Sequence, residues 1–272
     1  MRKHILILFF IFLVAGCGGS GSINDSKIDN RKKVLNSSTT WQWQLQGKLN
    51  RSYNVKVYDT DLFDTNISTI KELKSSGRVV ICYFSAGSYE SWRDDANSFP
   101  DEALGKKMDG WDERWIDIRD NQIQAIMKNR LKLAKDKGCD GVEPDNVDGY
   151  SNDTGFNLNP QEQIKFNVFL ATEAKKLGLL IGLKNDLNQI NELEPYFDFA
   201  LNEQCHEYNE CELLNPFIES NKPVFNAEYA QKYLDNTNGA RDKLCTDAKA
   251  RDFRTLILPQ DLDGSFRFSC DY

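Results

Sequence analysis

The segment Cys139-Asp140-Gly141-Val142-Glu143-Pro144-Asp145 is a short apolar run between two helical patterns. Before it, apolar residues recur at helical spacing over residues 123–134, and Gly138 ends the pattern. After it, residues 159–162 combine an asparagine cap, a first-turn proline and a capping-box glutamate, and the helical stripe that follows ends at Gly178. The segment is therefore predicted to be a buried strand between two helices.

The same alternation of strand and helix recurs along most of the chain. A third helix is predicted over residues 67–77, and eight candidate strands start about 29 residues apart, close to the roughly 31 expected for a barrel of eight strand-and-helix units. The candidate strands are Asn54 to Leu62, Arg78 to Gly87, Arg114 to Ile118, Cys139 to Asp145, Leu179 to Asp186, Phe197 to Gln204, Lys222 to Tyr229 and Arg254 to Gln260. This pattern predicts an α/β fold, a single-domain (β/α)8 TIM-type barrel, with an open doubly wound sheet as the alternative.

The first residues have the pattern of an export signal. Two basic residues precede an apolar run that is too short to span a membrane, and small residues follow it. Residues 1–16 are therefore predicted to be a signal peptide. The ending Val14-Ala15-Gly16-Cys17 resembles a bacterial lipobox, which implies lipidation at Cys17, and an ordinary cleaved signal is the alternative.

The next segment is predicted to be a tether. Residues 17–40 form the lipidated N-terminus and a stretch rich in Gly, Ser, Asn and Lys, and the folded domain is predicted over residues 41–272. The expected location is outside the cytoplasm, anchored by lipid to a bacterial membrane or the cell surface. In a Gram-negative cell this membrane would be the outer one.

Charge and histidine content exclude several classes of function. Lys and Arg total 34 against 41 Asp and Glu, a net charge of -7, which argues against nucleic acid or an anionic membrane surface as the main partner. The expected membrane contact is through the N-terminal lipid only. The chain has 2 His, which excludes a multi-His metal site, and we expect no metal, no cofactor and a monomer.

Six cysteines remain besides the candidate lipidation site, an even number that favours disulfides in an exported chain. Two local pairs, Cys205 with Cys211 and Cys245 with Cys270, are the preferred bridges. Cys82 and Cys139 form the weaker remaining pair, for which two buried thiols are the alternative.

Carboxylates at two predicted strand ends suggest a reaction. Period-two alternation places Glu143 and Asp145 on one side of their strand, and Leu201 and Glu203 on one side of theirs. Because inward side chains at the carboxyl ends of barrel strands meet in one bowl, Asp145 and Glu203 are predicted to converge. Two carboxylates without a nearby imidazole are what glycosidic cleavage requires.

Other polar and aromatic residues near the strand ends are candidates for substrate contact. They are Tyr58, Asp61, Tyr83, Trp92, Asp117, Glu143, Lys184, Asn185 and Glu228. Tyr83 and Trp92 are the favoured faces for sugar rings, whereas other aromatics of the chain are expected in the core. Residues 88–111 are too long for a simple connection, and Trp92, Trp111 and many acids indicate a loop that shapes a site.

Several motifs together resemble a known family. They are Trp41-Gln42-Trp43-Gln44-Leu45, Val57-Tyr58-Asp59-Thr60-Asp61, residues 80–87 with Trp92 and Arg93 after them, residues 138–148, Gly182-Leu183-Lys184-Asn185 and Asn202-Glu203-Gln204-Cys205. In this order they resemble glycoside hydrolase family 114, the endo-α-1,4-polygalactosaminidases, from Trp41 to the last strand. The resemblance implies a barrel, no metal, and hydrolysis of α-1,4-linked galactosamine in exopolysaccharide.

The motif match implies Asp145 as the nucleophile and Glu203 as the acid/base of an endo-acting, retaining enzyme. A retaining pair is expected to stand roughly 5 to 5.5 Å apart. We expect Asp145 to stay ionised beside Lys184 and Glu203 to be the more protonated partner. The acidic balance agrees independently, since a cationic or partly acetylated galactosamine polysaccharide is drawn to a carboxylate-lined cleft.

Two alternatives stay open at this point. One is a different glycosidase of the same fold, similar to an α-galactosidase. The other is a lipid-anchored, non-catalytic barrel that only binds carbohydrate, and the presence of both Asp145 and Glu203 argues against it.

Overall fold

Strands and helices alternate through most of the computed structural model, which describes residues 35–271. Numbered in chain order, the strands are β1 Trp41–Gln44, β2 Val57–Asp61, β3 Val79–Ser85, β4 Ser88–Glu90, β5 Leu104–Lys107, β6 Glu113–Ile116, β7 Gly141–Asp145, β8 Leu180–Lys184, β9 Phe199–Glu203, β10 Val224–Glu228, β11 Arg254–Ile257 and β12 Phe268–Ser269. The α-helices are α1 Ile67–Ser75, α2 Asn121–Lys137, α3 Pro160–Lys176, α4 Ile190–Leu193, α5 Cys205–Tyr208, α6 Asn215–Glu219, α7 Gln231–Leu234 and α8 Ala240–Ala250. Short 3-10 helices cover Ala96–Ser98, Asp101–Ala103, Gly149–Ser151, Leu187–Gln189, Glu194–Tyr196, Cys211–Leu214 and Thr237–Gly239.

The central sheet contains nine strands in the order β1-β2-β3-β7-β8-β9-β10-β11-β12. Each neighbouring pair from β1 to β11 is parallel, and β12 pairs antiparallel with β11. The sheet is curled, since the Trp41 indole of β1 donates to the Arg254 carbonyl of β11 at 2.7 Å. The predicted α/β class and parallel sheet are confirmed.

One predicted barrel strand is wrong. The run Arg114 to Ile118 corresponds to β6, which lies in a separate antiparallel sheet of order β4-β6-β5 and not in the central sheet. Its glutamate and arginine suit a partly exposed hairpin better than a parallel strand covered on both faces. The eighth parallel strand is β1 instead, which is only 4 residues long and whose glutamines break the apolar run.

The three predicted helices are present as α1, α2 and α3. The cap of α3 at Asn159 is the predicted capping box. The asparagine side chain accepts hydrogen bonds from backbone N–H groups of the first turn, and the Glu162 side chain accepts one from the Asn159 backbone N–H. Helix α2 ends at Gly138, whose φ of 92° is the left-handed conformation that favours glycine. The Gly138 cap ends α2 shortly before β7, and the Asn159 cap starts α3 after the loop that follows β7.

Two apolar layers hold the sheet. On its inner side, Trp41 stacks on Phe225 with ring centroids 4.8 Å apart, and Val57 and Leu201 join the same cluster. On its outer side, the sheet packs on the helices, and Tyr58 belongs to that layer. Adjacent residues of β2 therefore face opposite layers, as strand alternation requires. At β8 the sheet admits only glycine, because a Cβ on Gly182 would lie 2.2 Å from the Phe199 ring.

Three disulfides link the cysteines of the described part of the chain. Both preferred bridges, Cys205–Cys211 and Cys245–Cys270, are present. The Cys82–Cys139 bridge is also present and joins β3 to the short segment between α2 and β7. The alternative of two buried thiols is therefore wrong, because the pairing of β3 with β7 brings the two cysteines to 6.1 Å between Cα atoms.

The predicted signal peptide (1–16), the lipidation site Cys17 and most of the tether (17–40) lie outside the described residues. Within residues 35–271, no helix is long and apolar enough to cross a membrane.

Candidate active site

A cleft of about 1530 Å³ lies at the carboxyl ends of the parallel strands. Asp61, Asp145, Lys184 and Glu203, each the last residue of its strand, contribute to its lining. Acidic side chains outnumber basic ones in the lining by thirteen to six. The cleft is therefore suited to a cationic or hydroxyl-rich ligand.

Lys184 joins the two predicted catalytic carboxylates. Its Nζ lies 3.0 Å from Asp145 Oδ1 and 3.1 Å from Glu203 Oε2, so these two oxygens are no more than about 6 Å apart. The side chains of Asp145 and Glu203 are 18% and 28% exposed, whereas that of Lys184 is 2% exposed. We call Asp145 and Glu203 the outer pair, because both reach the cleft.

Each member of the outer pair also accepts bonds from neighbouring strands. The Tyr83 hydroxyl donates to Asp145 Oδ2 at 3.2 Å. The Tyr229 hydroxyl donates to Glu203 Oε1 at 2.6 Å, and the Asn185 amide donates to Oε2 at 3.2 Å. Both carboxylates are held in fixed orientations by donors that favour their charged form.

The pKa of Glu203 differs from our expectation. Burial raises the pKa, but the Lys184 ammonium and the bonds from Tyr229 and Asn185 outweigh burial and hold the pKa of Glu203 below its usual value. A lowered pKa leaves Glu203 ionised at neutral pH in the free site, whereas the predicted acid role requires a proton on it.

A second carboxyl pair, Asp59 and Glu143, lies beneath Lys184. Glu143 is 0% exposed and Asp59 is 1% exposed. Glu143 contacts Lys184 Nζ at 3.2 Å through Oε1 and accepts from the Trp43 indole at 3.1 Å through Oε2. We call Asp59 and Glu143 the inner pair.

The inner pair holds a proton at neutral pH. Burial raises the pKa of Asp59 to about 8, and burial followed by the nearby Asp59 raises the pKa of Glu143 well above its usual value. Neither Asp59 oxygen accepts a hydrogen bond from a side chain of the described residues unless one of the two acids is protonated. The Asp59 contact with Glu143 is therefore a hydrogen bond through a shared proton.

Three strand ends that carry the site turn sharply. Asn146, Asn185 and Gln204 follow β7, β8 and β9 directly and have φ angles of 60°, 47° and 63°. Side chains other than glycine adopt this region at a cost, and such residues concentrate at functional sites. At the neighbouring β3 end, a Cβ on Gly87 would lie 1.7 Å from the Asn146 carbonyl oxygen, so this approach requires glycine.

Five of the predicted substrate contacts line the cleft. They are Asp61, Tyr83, Trp92, Lys184 and Asn185. Asp61 is already occupied, since it accepts from Arg93 at 2.7 Å and from the backbone N–H groups of the following turn. Trp92 is 54% exposed and free to meet a ligand.

The other four predicted contacts lie away from the cleft surface. Tyr58 is buried in the outer layer and donates to the Tyr53 carbonyl at 2.9 Å. Asp117 is tied to Arg119 outside the lining, and Glu228 is buried, accepting from the His206 N–H at 2.8 Å. Glu143 belongs to the inner pair. Tyr58, Glu143 and Glu228 are buried behind the lining residues, and Asp117 lies at the end of β6 outside the lining, so the structure does not bring these four to the cleft surface.

Sequence reasoning missed three residues that shape the site. Trp43 orients Glu143, and Asp59 completes the inner pair. Asp148 lines the cleft, and burial, then the nearby Asp145, raises its pKa to about 6. No described cation forms an ion pair with Asp148. The Asp-Asn-Val-Asp run after β7 was a usable signal for this residue.

The described residues contain one close group of metal-ligating types, Cys205, His206 and Cys211. Its two sulfurs are joined in a disulfide, so they offer no thiolate.

A curled parallel sheet with two carboxylates at its carboxyl edge defines a glycosidase of the two-carboxylate class. The family model of Glycoside-hydrolase family GH114 matches residues 24–272, and the chain belongs to this family. It is a glycoside hydrolase, which removes the non-catalytic alternative.

Solved structures agree with this assignment. The chain is 41% identical to Aspergillus fumigatus Ega3, solved in complex with galactosamine, over 86% of this chain and 96% of that one, with a TM-score of 0.82. The glycoside hydrolase domain of PelA from Pseudomonas aeruginosa is 13% identical over 83% of this chain and 96% of that one, with a TM-score of 0.65, and supports the fold alone. No curated protein sequence matches the chain.

Proposed function

We propose that this enzyme hydrolyses α-1,4-linked galactosamine within a polysaccharide, with retention of configuration. The observation that carries the proposal is the outer pair on Lys184, whose oxygens are no more than about 6 Å apart. This upper limit lies below the roughly 6.5 to 9.5 Å of inverting enzymes and leaves room for the roughly 5 to 5.5 Å of retaining ones. The similarity to Ega3, which was solved with galactosamine, supports the choice of sugar.

In this mechanism Asp145 attacks the anomeric carbon and Glu203 protonates the leaving oxygen. Lys184 and Tyr83 hold Asp145 in a fixed orientation for attack. Because the pKa of Glu203 is lowered in the free site, its proton is taken up as substrate binds and excludes water. After the glycosyl-enzyme forms, Glu203 accepts a proton from the water that releases the sugar.

The charge of the cleft suits an amino sugar. Galactosamine residues without acetyl groups carry ammonium groups at neutral pH, and the acidic lining attracts them. Asp148 lies near both catalytic carboxylates and supplies an unpaired carboxylate for one ammonium group. A hydroxyl-only sugar could donate a hydrogen bond to this half-buried acid but would supply no positive charge, which favours galactosamine over galactose.

The experiment is incubation with partly deacetylated galactosaminogalactan, followed by mass analysis of the released oligomers. We expect galactosamine oligomers of several lengths from the wild type and none from Glu203→Gln. A Glu219→Gln variant, changed on the exposed surface of α6, is the matched control and should release the same oligomers as the wild type. Release of galactose alone, or activity only on small galactosides, would overturn the proposal.

We also infer that the eight parallel strands close into a complete (β/α)8 barrel. Support comes from β1, whose Trp41 accepts from Arg267 at its carbonyl and donates to Arg254 through its indole. An experimental structure in which water separates β1 from the edge formed by β11 and β12 would contradict closure.

We propose further that the protein is exported and anchored by lipid on Cys17. Three disulfides in the described residues support an oxidising compartment. The Cys17→Ser variant should leave the membrane fraction, as judged by immunoblotting after a high-salt wash. A variant that stays with the membranes would show that another contact holds the protein.

A further inference from the structure

Exposed aromatic rings concentrate at the cleft. Among the described residues, four large aromatic side chains are more than a third exposed: Trp92, Trp111, Tyr196 and Tyr208. Three of the four line the cleft, and only Tyr196 does not. Aromatic rings left in water at one place on a surface mark a binding surface, since burial elsewhere would stabilise the fold.

Trp111 is exposed in a turn of the small three-stranded sheet. It follows Gly110, whose φ is 82°, in the turn between β5 and β6. The hairpin is fixed by the Arg114 guanidinium, which donates to the Gly105 and Leu104 carbonyls at 2.9 Å. The Trp111 ring is 46% exposed, and no ring or cation of the described residues stacks on it. The turn therefore presents a free indole face on a rigid base.

Tyr208 is presented on the other side of the site. It ends α5, which starts two residues after Glu203, and the Cys205–Cys211 disulfide closes this segment. The Tyr208 ring is 64% exposed, and its hydroxyl donates no hydrogen bond to a described residue. A short disulfide-closed loop loses little further freedom on binding, which favours its use as a rigid contact.

The order of the strands places the two rings on different sides of the outer pair. The sheet that carries Trp111 is inserted after β3, the neighbour of β7 with Asp145, whereas Tyr208 follows β9 with Glu203. Strand β8 with Lys184 lies between β7 and β9. A polysaccharide chain that crosses the outer pair from the β7 side to the β9 side therefore leads toward Trp111 at one end and Tyr208 at the other.

Each ring has an acidic residue two positions away in the sequence that also lines the cleft. Asp109 lies two residues before Trp111, and Glu210 lies two residues after Tyr208. Neither acid forms an ion pair with a cation of the described residues. A pyranose ring offers a C–H face to an aromatic ring, and an amino sugar adds an ammonium group for the acid.

We propose that Trp111 and Tyr208 are outer binding subsites for amino-sugar residues on the two sides of the cleavage position. This inference rests on the proposed function and extends it, because contacts on both sides favour cleavage inside a long chain. A short substrate reaches the outer pair without reaching both rings. The two subsites therefore contribute to polymer cleavage and little to cleavage of a small glycoside.

The test compares kcat/KM for an α-1,4-galactosamine polymer with kcat/KM for an aryl glycoside of galactosamine. Trp111→Ala and Tyr208→Ala should each lower the ratio of the two values about tenfold, as expected for loss of one aromatic contact. Trp111→Phe keeps an aromatic face and should restore most of the ratio. Tyr196→Ala, changed at the exposed tyrosine outside the cleft, is the matched control and should keep the wild-type ratio.

Binding provides a second readout. In the Glu203→Gln background, retardation of the protein in a gel that contains the polymer should weaken when Trp111→Ala or Tyr208→Ala is added. Polymer cleavage by the wild type with unchanged ratios in both variants would overturn this inference and leave the proposed function intact. If the wild type cleaves no galactosamine polymer, the proposed function itself fails, and this inference fails with it.

Discussion

Glu203 of the outer pair and the two acids of the inner pair lie around one ammonium group, that of Lys184, yet their pKa values are shifted in opposite directions. Glu203 reaches the cleft and receives donors from Tyr229, Asn185 and Lys184, which lower its pKa. Asp59 and Glu143 are almost fully buried, and burial raises the pKa of both. The outer pair, which we propose to be catalytic, thus lies only one layer of side chains above a pair that holds a proton.

The difference shows that the cost of burial and the number of donors decide the state of an acid. The inner pair has the Trp43 indole and Lys184 as donors, and these do not outweigh complete loss of water. By sharing a proton, it leaves more of the Lys184 charge for the outer pair. The inner pair therefore positions Lys184 and does not itself touch substrate.

The largest expected effect comes from replacing the outer pair with amides. Asp145→Asn and Glu203→Gln remove the nucleophile and the acid/base, so each should lower kcat by at least ~100-fold with little change in thermal unfolding. Glu143→Gln resembles the protonated inner acid and should lower kcat by less than about tenfold. Steady-state hydrolysis of galactosamine polymer by the three purified variants measures the contrast.

Near wild-type turnover by either outer variant would exclude that residue from the mechanism. Glu143 would then be the next candidate for its role, and the distinction between the two pairs would be lost.

An intermediate effect is expected in the pH profile of kcat/KM. Glu203 must be protonated to act as an acid, and its pKa in the free enzyme is lowered, so kcat/KM should fall as pH rises above acidic values. Lys184→Met removes the ammonium that lowers this pKa, so this limb should move at least about one unit to higher pH.

The matched control is Lys222→Met, which removes a lysine paired with Glu194 away from the cleft. Its pH profile should coincide with that of the wild type. A Lys184→Met profile with the wild-type limb would show that Lys184 does not set the pKa of Glu203.

The smallest effect concerns stability. The folded state holds a proton on Asp59 up to about pH 8, whereas an unfolded aspartate loses it near pH 4. The folded state therefore binds more protons between these values, and the free energy of unfolding falls as pH rises through this window, by up to about 1.4 kcal/mol per unit. Asp59→Asn should make this dependence flatter in thermal melts from about pH 5 to about pH 8.

Asp136→Asn on the exposed face of α2 is the control and should keep the wild-type slope. An Asp59→Asn protein with the same slope as the wild type would contradict the shared proton of the inner pair.

Much of the fold follows from local patterns in the sequence. Helix α3 has a complete cap, and seven of the eight central parallel strands are apolar runs bounded by glycine or polar residues. Strand β1 could not be predicted in this way, because four residues of alternating Trp and Gln are too short to show a clear hydrophobic period. The strand β6 was misplaced, since nothing in its own residues distinguishes an inserted hairpin from a barrel strand.

The candidate site was predictable in its outer layer only. Alternation along β7 and β9 places Asp145 and Glu203 at the carboxyl ends of their strands. The two side chains come close to each other because both strands pair with β8. The inner pair depends on Trp43 and Asp59, which come from strands distant in sequence from Glu143. Depth in a curled sheet is a property of the whole fold, so no local pattern separates Glu143 from Asp145.

Trapping of the glycosyl-enzyme tests most directly whether Asp145 of the outer pair, and neither acid of the inner pair, is the nucleophile. The enzyme is treated with an activated galactosaminyl fluoride whose ring carries an electron-withdrawing fluorine, and its peptides are mapped by mass spectrometry. We predict one adduct, on the peptide and side chain of Asp145, with none on Glu143 or Asp59. An adduct on another carboxylate, or turnover to the inverted anomer without any adduct, would contradict the assignment of Asp145 and Glu203 as a retaining pair.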